Sequence, residues 1–162
     1  MRKPLWMLLL ALVASLAIAG SVVAVHAPGG VVITDIQRGT LAESVQSHNL
    51  GQSGVNIKTR GPVDVVTAEI TFTAPGGSAG WHTHPGPVLV VMRSGTLSVW
   101  DEHCVRSTYS QGSTFFEVGP GHSMLVKNES ATVDATLYAT FIVPVGAAPL
   151  TVTTEHRCGV DG

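Results

Sequence analysis

Charge is scarce in this chain, and cysteine is scarcer. Only 12 % of the 162 residues are Asp, Glu, Lys or Arg, and there are 2 cysteines. No basic patch and no run of like charge occurs, which argues against a nucleic-acid partner. There is no low-complexity tract and no internal repeat, so neither a disordered tail nor a repeat array is indicated. After the N-terminal stretch no segment keeps a helical period, which argues against alternating βαβ units and a parallel sheet. One further absence is local. The segment GWHTHPGPVLVV, Gly80 to Val91, carries two histidines and then only turn and apolar residues, with no acid following.

The one long apolar run is at the start. Arg2 and Lys3 precede LWMLLLALVASLAIAG and SVVAVHA, the pattern of a secretory signal with small-residue cleavage sites near Ala19 and Ala24. Leu5 to Val25 also has the roughly 20-residue length of a membrane anchor, so a cleaved signal and an uncleaved anchor both stand, over residues 1–27. Either way the chain is expected to be exported, to the cell envelope or beyond, touching a membrane only through that segment. Without Arg2 and Lys3 the rest holds 7 basic against 11 acidic side chains, a net charge near −4. No cysteine follows the apolar run, which argues against a lipoprotein anchor. In an oxidising compartment Cys104 and Cys158 read as one disulfide. Closing that loop would contribute at most about 4 kcal/mol and pin Thr151 to Cys158 onto the fold; two free thiols are the alternative.

From Val55 onward the chain reads as β. VNIKTR, VDVVTAEITFTA, VLVVM, TLSVW, STFFEV, SMLVKN and ATLYATFIVPV are rich in Val, Thr, Ile and Phe. Turn clusters such as Pro75-Gly76-Gly77, Pro85-Gly86-Pro87 and Gly119-Pro120-Gly121 separate them, and many short strands at such spacing indicate a sandwich or barrel. VVITDI, from Val31, is an earlier short strand, and Thr40 to Gly54 reads as loop or extended arm. The organisation expected is an arm at 28–54, a barrel at 55–150 and a disulfide-tied tail at 151–162.

Side chains two apart on a strand share a face. His82 and His84 therefore point the same way, and if the Pro-Gly-Pro turn keeps the register they face the cavity with Val88, Val90 and Met92. Two imidazoles at an apolar rim are suitable metal ligands. A second segment, GSTFFEVGPGHSMLVKN, adds His122 before an apolar strand.

Together these segments resemble the two motifs of the cupin superfamily. Gly76, His82, His84 and Gly95 fall at first-motif positions, and Gly112 and Asn128 at second-motif positions. The resemblance covers about Val55 to Val145 and implies an all-β, double-stranded β-helix, the cupin jelly-roll barrel. More narrowly the chain resembles small secreted single-domain cupins of the actinobacterial type, which have no assigned activity. The family's glutamate would fall at Val88 or Leu89, its last histidine at Met124 and its proline at Val118, so two of four usual ligands are missing in register. His122, two residues before Met124, is the expected substitute; Met124 is otherwise a core filler or a soft copper ligand. Glu117 reaches inward only if its strand has a different register.

The expected site is thus metal: His82, His84, His122; pocket: Val88, Val90, Met92, Met124. A ligand set without carboxylate prefers Cu, Ni or Zn over Mn or Mg, with Fe also admissible. No residue is marked as catalytic, and none stands out as a general base. Two functions follow: a binding module for a small molecule or metal, or a metal-dependent (Fe, Mn, Ni or Cu) enzyme of oxygenase or isomerase type. A homodimer is a third expectation.

Overall fold

The computed structural model describes residues 29–47, 56–152 and 158–160. The N-terminal signal or anchor, His48 and His156 lie outside them. Among the described residues ten strands run in chain order: β1 (Val31–Leu41), β2 (Val63–Phe72), β3 (Ser78–Thr83), β4 (Val88–Ser94), β5 (Thr96–Trp100), β6 (Arg106–Ser110), β7 (Thr114–Glu117), β8 (Met124–Lys127), β9 (Ala135–Pro144) and β10 (Thr151–Val152). All pairings are antiparallel. One sheet has the order β1-β2-β9-β4-β7 and the other β10-β3-β8-β5-β6. The described part is all-β, two five-stranded sheets enclosing one core.

Alternation of apolar and polar residues sets the layers. In β4, Val88, Val90 and Met92 are buried while Leu89 and Val91 stand outside. In β9, Leu137, Ala139, Phe141 and Val143 point in and Tyr138 points out. A one-residue slip would exchange these faces, so the inner row fixes the register. Burying side chains such as Leu97, at 0 % exposure, contributes about 1.5–3 kcal/mol each. Asn128 ties the sheets together. It is fully buried, and its Nδ2 donates to the carbonyls of Phe72 and Val133, each at 2.9 Å.

Two strand expectations need correction. β1 runs past VVITDI to Leu41 and pairs with β2 along its length, with a bulge between Thr34 and Gln37. The segment expected to be an arm therefore supplies an edge strand of the first sheet. The described part of VNIKTR, conversely, joins neither sheet. It forms a short ladder with residues 45–47, in which the Thr59 amide donates to the Val45 carbonyl and the Ser47 amide to that of Ile57. That local partner takes the hydrogen bonds a sheet would otherwise use.

Candidate metal centre

β3 carries Trp81 and His82 with opposite orientations. Trp81 packs outward on Trp100 and Leu125, whereas His82 faces the cavity. His84 follows just after the strand and faces the same cavity, and both rings are buried, at 2 % and 4 % exposure. Their centroids are 4.9 Å apart at an interplanar angle of 78°. The third member is Glu117, the last residue of β7, also buried. Ligand atoms of His82, His84 and Glu117 all lie within 4.8 Å of one another.

Register and loop packing bring the acid there. β4 and β7 are paired so that Val88 stands opposite Glu117. Beyond them the turns after His84 and Glu117 touch backbone to backbone. A Cβ on Gly119 would lie 2.8 Å from the Gly86 carbonyl carbon, and one on Gly86 would lie 1.9 Å from the Ile142 carbonyl oxygen. Gly119 also has a φ of +109°, where a side chain is strained. Only glycines permit this approach, and it draws the ends of β3 and β7 together.

The hydrogen bonds fix the chemistry of the rings. His82 Nδ1 lies 2.8 Å from the Gly80 carbonyl, and His84 Nδ1 lies 2.6 Å from the Pro149 carbonyl. A carbonyl only accepts, so each contact places a proton on Nδ1. In the neutral rings Nε2 then presents a lone pair. Both Nε2 atoms lie close to Glu117 Oε2, which is 3.5 Å from His82 Nε2 and 2.6 Å from His84 Nε2. Yet His84 Nε2 and Glu117 Oε2 are buried without a hydrogen bond of acceptable geometry.

Lone pairs facing a carboxylate in a buried site need a cation between them, either a proton or a metal ion. The proton solution is visible in the electrostatics. Burial disfavours the charged form of His84, but Glu117 and the Pro149 carbonyl outweigh it and raise the ring's pKa above 6.5. Burial likewise opposes ionisation of Glu117, and the two histidines reverse this and hold its pKa down at about 2. The metal solution fits the same atoms. Two imidazoles oriented by Nδ1 hydrogen bonds, plus a carboxylate, form a donor set for a divalent transition ion. His82, His84 and Glu117 could therefore bind a metal.

The group opens on a cavity of about 450 Å³. Val66, Ala68, Phe72, Val88, Val90 and Leu137 are among its walls. Among the described residues lining it, the only titratable side chains are the triad and Arg38. Arg38 is held by Asp64, whose Oδ2 lies 3.1 Å from its Nε, and it also donates to the Ala147 carbonyl.

The structure separates the site residues expected from sequence. His82, His84, Val88 and Val90 meet at the cavity. Met92 is buried in the core, and Met124, opposite His82 in the register, packs against that core; neither lines the cavity. His122 does not join the group and is corrected here. The Gly119-Pro120-Gly121 turn carries it outward, where it is half exposed and its Nδ1 lies 2.9 Å from Glu102 Oε1. The carboxylate absent from the expected ligand set is Glu117. Its signal was the alternation in TFFE: Phe115 packs against the core and Phe116 is exposed, which sends Glu117 inward. Cys104 and Cys158 form a disulfide with Cα atoms 5.4 Å apart.

No protein-family model matches the sequence, and no curated protein does. Solved structures do align with it. A cupin-like protein from Thermotoga maritima aligns at 12 % identity over 81 % of this chain and 87 % of that one, with a TM-score of 0.47. A cupin domain from Bordetella pertussis aligns at 22 % identity over 62 % and 93 %, with a TM-score of 0.41. The structural neighbours of this chain thus include cupin-domain proteins. The DMSP lyase DddQ from Ruegeria pomeroyi also aligns, at 13 % identity over 55 % of this chain, TM-score 0.47; this chain spans 43 % of that one. At such identities and TM-scores the likeness carries no activity over to this chain.

Proposed function

We propose that the protein is an exported cupin-type barrel that holds one divalent transition-metal ion on His82, His84 and Glu117 and binds an apolar small molecule beside it. The observation that carries this reading is the pair of orphaned buried atoms, His84 Nε2 and Glu117 Oε2. A proton or a metal ion satisfies both, and His82, His84 and Glu117 together offer the ion three buried donor atoms. Two histidines and one carboxylate leave coordination positions free, an arrangement that suits Fe(II) as well as Ni(II), Cu(II) or Zn(II). When bound, such an ion supplies Lewis acidity and, if redox-active, one-electron chemistry at the cavity wall.

The chain's own residues do the rest. Gly80 and Pro149 carbonyls hold the imidazoles with Nε2 forward. The apolar walls exclude water and select the body of the ligand, leaving its donor atom to meet the metal. The cavity's described lining offers no further carboxylate or imidazole as a general base, which favours binding or metal-centred chemistry over hydrolysis. The test is a Co(II)-loaded sample titrated with azide and followed in the visible spectrum. A spectral change that saturates supports an open coordination site in this barrel. An unchanged spectrum contradicts it.

A further inference from the structure

The C-terminal chain touches β3 at several points. After β9, Ala148, Pro149 and Leu150 form part of the cavity wall. This strap is anchored at its start, where the Gly146 amide donates to Asp64 Oδ2 at 2.9 Å and Arg38 donates to the Ala147 carbonyl. Further on, the Pro149 carbonyl takes the Nδ1 proton of His84. β10 then covers the edge of β3, with Val152 opposite His82 and Thr151 opposite Thr83. Residues 158–160 reach the other face. Cys158 and Val160 pack on Trp81, Trp100 and Leu125, and the Val160 carbonyl accepts from Trp81 Nε1 at 3.3 Å.

Every residue from Trp81 to His84 is therefore held by the tail. β10 has only two residues, too few to keep a strand paired by itself. Six residues beyond β10, Cys158 is tied covalently to Cys104 in the turn after β5, and such a tie lowers the entropy the chain would gain by leaving β3.

We propose that the C-terminal tail is a clamp that sets the metal affinity of His82 and His84, with the Cys104–Cys158 bridge as its latch and the Pro149 carbonyl as its positioning contact. The proposal rests on the metal-centre reading above. With the latch open, β10 frays from β3 and His84 loses the acceptor that keeps its Nε2 lone pair forward. Partners that orient a ligating histidine in this way typically govern metal affinity by about 10- to 100-fold.

The test compares untagged wild type with the Cys104→Ser/Cys158→Ser double variant, which adds no thiol to compete for the ion. Zn(II) titration and amide hydrogen exchange are measured on both. The expected result is a zinc affinity weaker by about tenfold or more in the variant, with exchange accelerated at residues 81–84 and 151–152 and unchanged in β4 and β9. Equal affinity with unchanged exchange overturns the proposal. So does uniform acceleration across the barrel, because the bridge would then stabilise the whole fold rather than the clamp. If the wild type itself binds no zinc, the metal-centre reading fails, and exchange alone decides: acceleration confined to β3 and β10 supports the clamp, any other pattern sinks it.

Discussion

His84 Nε2 and Glu117 Oε2 lie 2.6 Å apart in the protein interior, and the proton on His84 Nδ1 is already committed to the Pro149 carbonyl. The contact is stable only with a cation in it. Replacing the carboxylate by its amide relieves that requirement, because an amide N–H can donate to the lone pair. Glu117→Gln should therefore abolish metal binding while leaving the metal-free barrel folded. Its melting temperature should vary less with pH above 6.5 than that of the wild type. Melting scans of both metal-free proteins from pH 5 to pH 9 check this.

The two pKa shifts predict the pH profile of the metal-free protein. Glu117 is held at about 2, below its ordinary 4.5, so its contribution is complete above about 4.5 and is lost as the pH falls toward 2. His84 is raised above 6.5, so its contribution is complete below 6.5 and is lost as the pH rises through the folded value. Stability should peak between those limits. A metal ion displaces the proton from His84, so its binding should strengthen with rising pH and release a proton. Calorimetry in buffers of different ionisation enthalpy measures that release.

Much of the barrel could be read from the sequence because period-two alternation is strong in β4, β7 and β9. Two things were not legible. β1 carries alternation too weak to reveal that it pairs with β2 to Leu41, since most of its side chains are exposed. The approach of Glu117 to the two histidines is not legible because position along the chain does not report neighbours across a sheet. The resemblance places an acid at Val88 or Leu89, whereas Glu117 stands opposite Val88 on another strand. His122 lies near Met124 in sequence, but the turn at Gly119-Pro120-Gly121 carries it outward, which spacing alone does not encode.

The glycine contact between the two turns predicts a severe local effect. Gly86→Ala would put a Cβ 1.9 Å from the Ile142 carbonyl oxygen, backbone that cannot yield without moving β9. The expected cost is about 2 kcal/mol or more, with loss of metal binding as His84 and Glu117 separate. Gly61→Ala is the control, since a Cβ there meets nothing within 4 Å and needs no positive φ. Chemical denaturation of the two variants checks the contrast.

His122 provides an internal control for the site. Its imidazole contacts Glu102 on the surface, half exposed, where an ion pair contributes roughly 0–1 kcal/mol. His122→Ala should leave both zinc affinity and melting temperature essentially unchanged. A marked loss of zinc affinity in that variant would return His122 to the ligand set.

The most direct test of the account is calorimetric titration of untagged protein with Zn(II) at pH 7.5, wild type beside Glu117→Gln. The account predicts one saturable site per chain in the wild type and none in the variant. Saturable binding that survives Glu117→Gln, or no binding by the wild type, would contradict it.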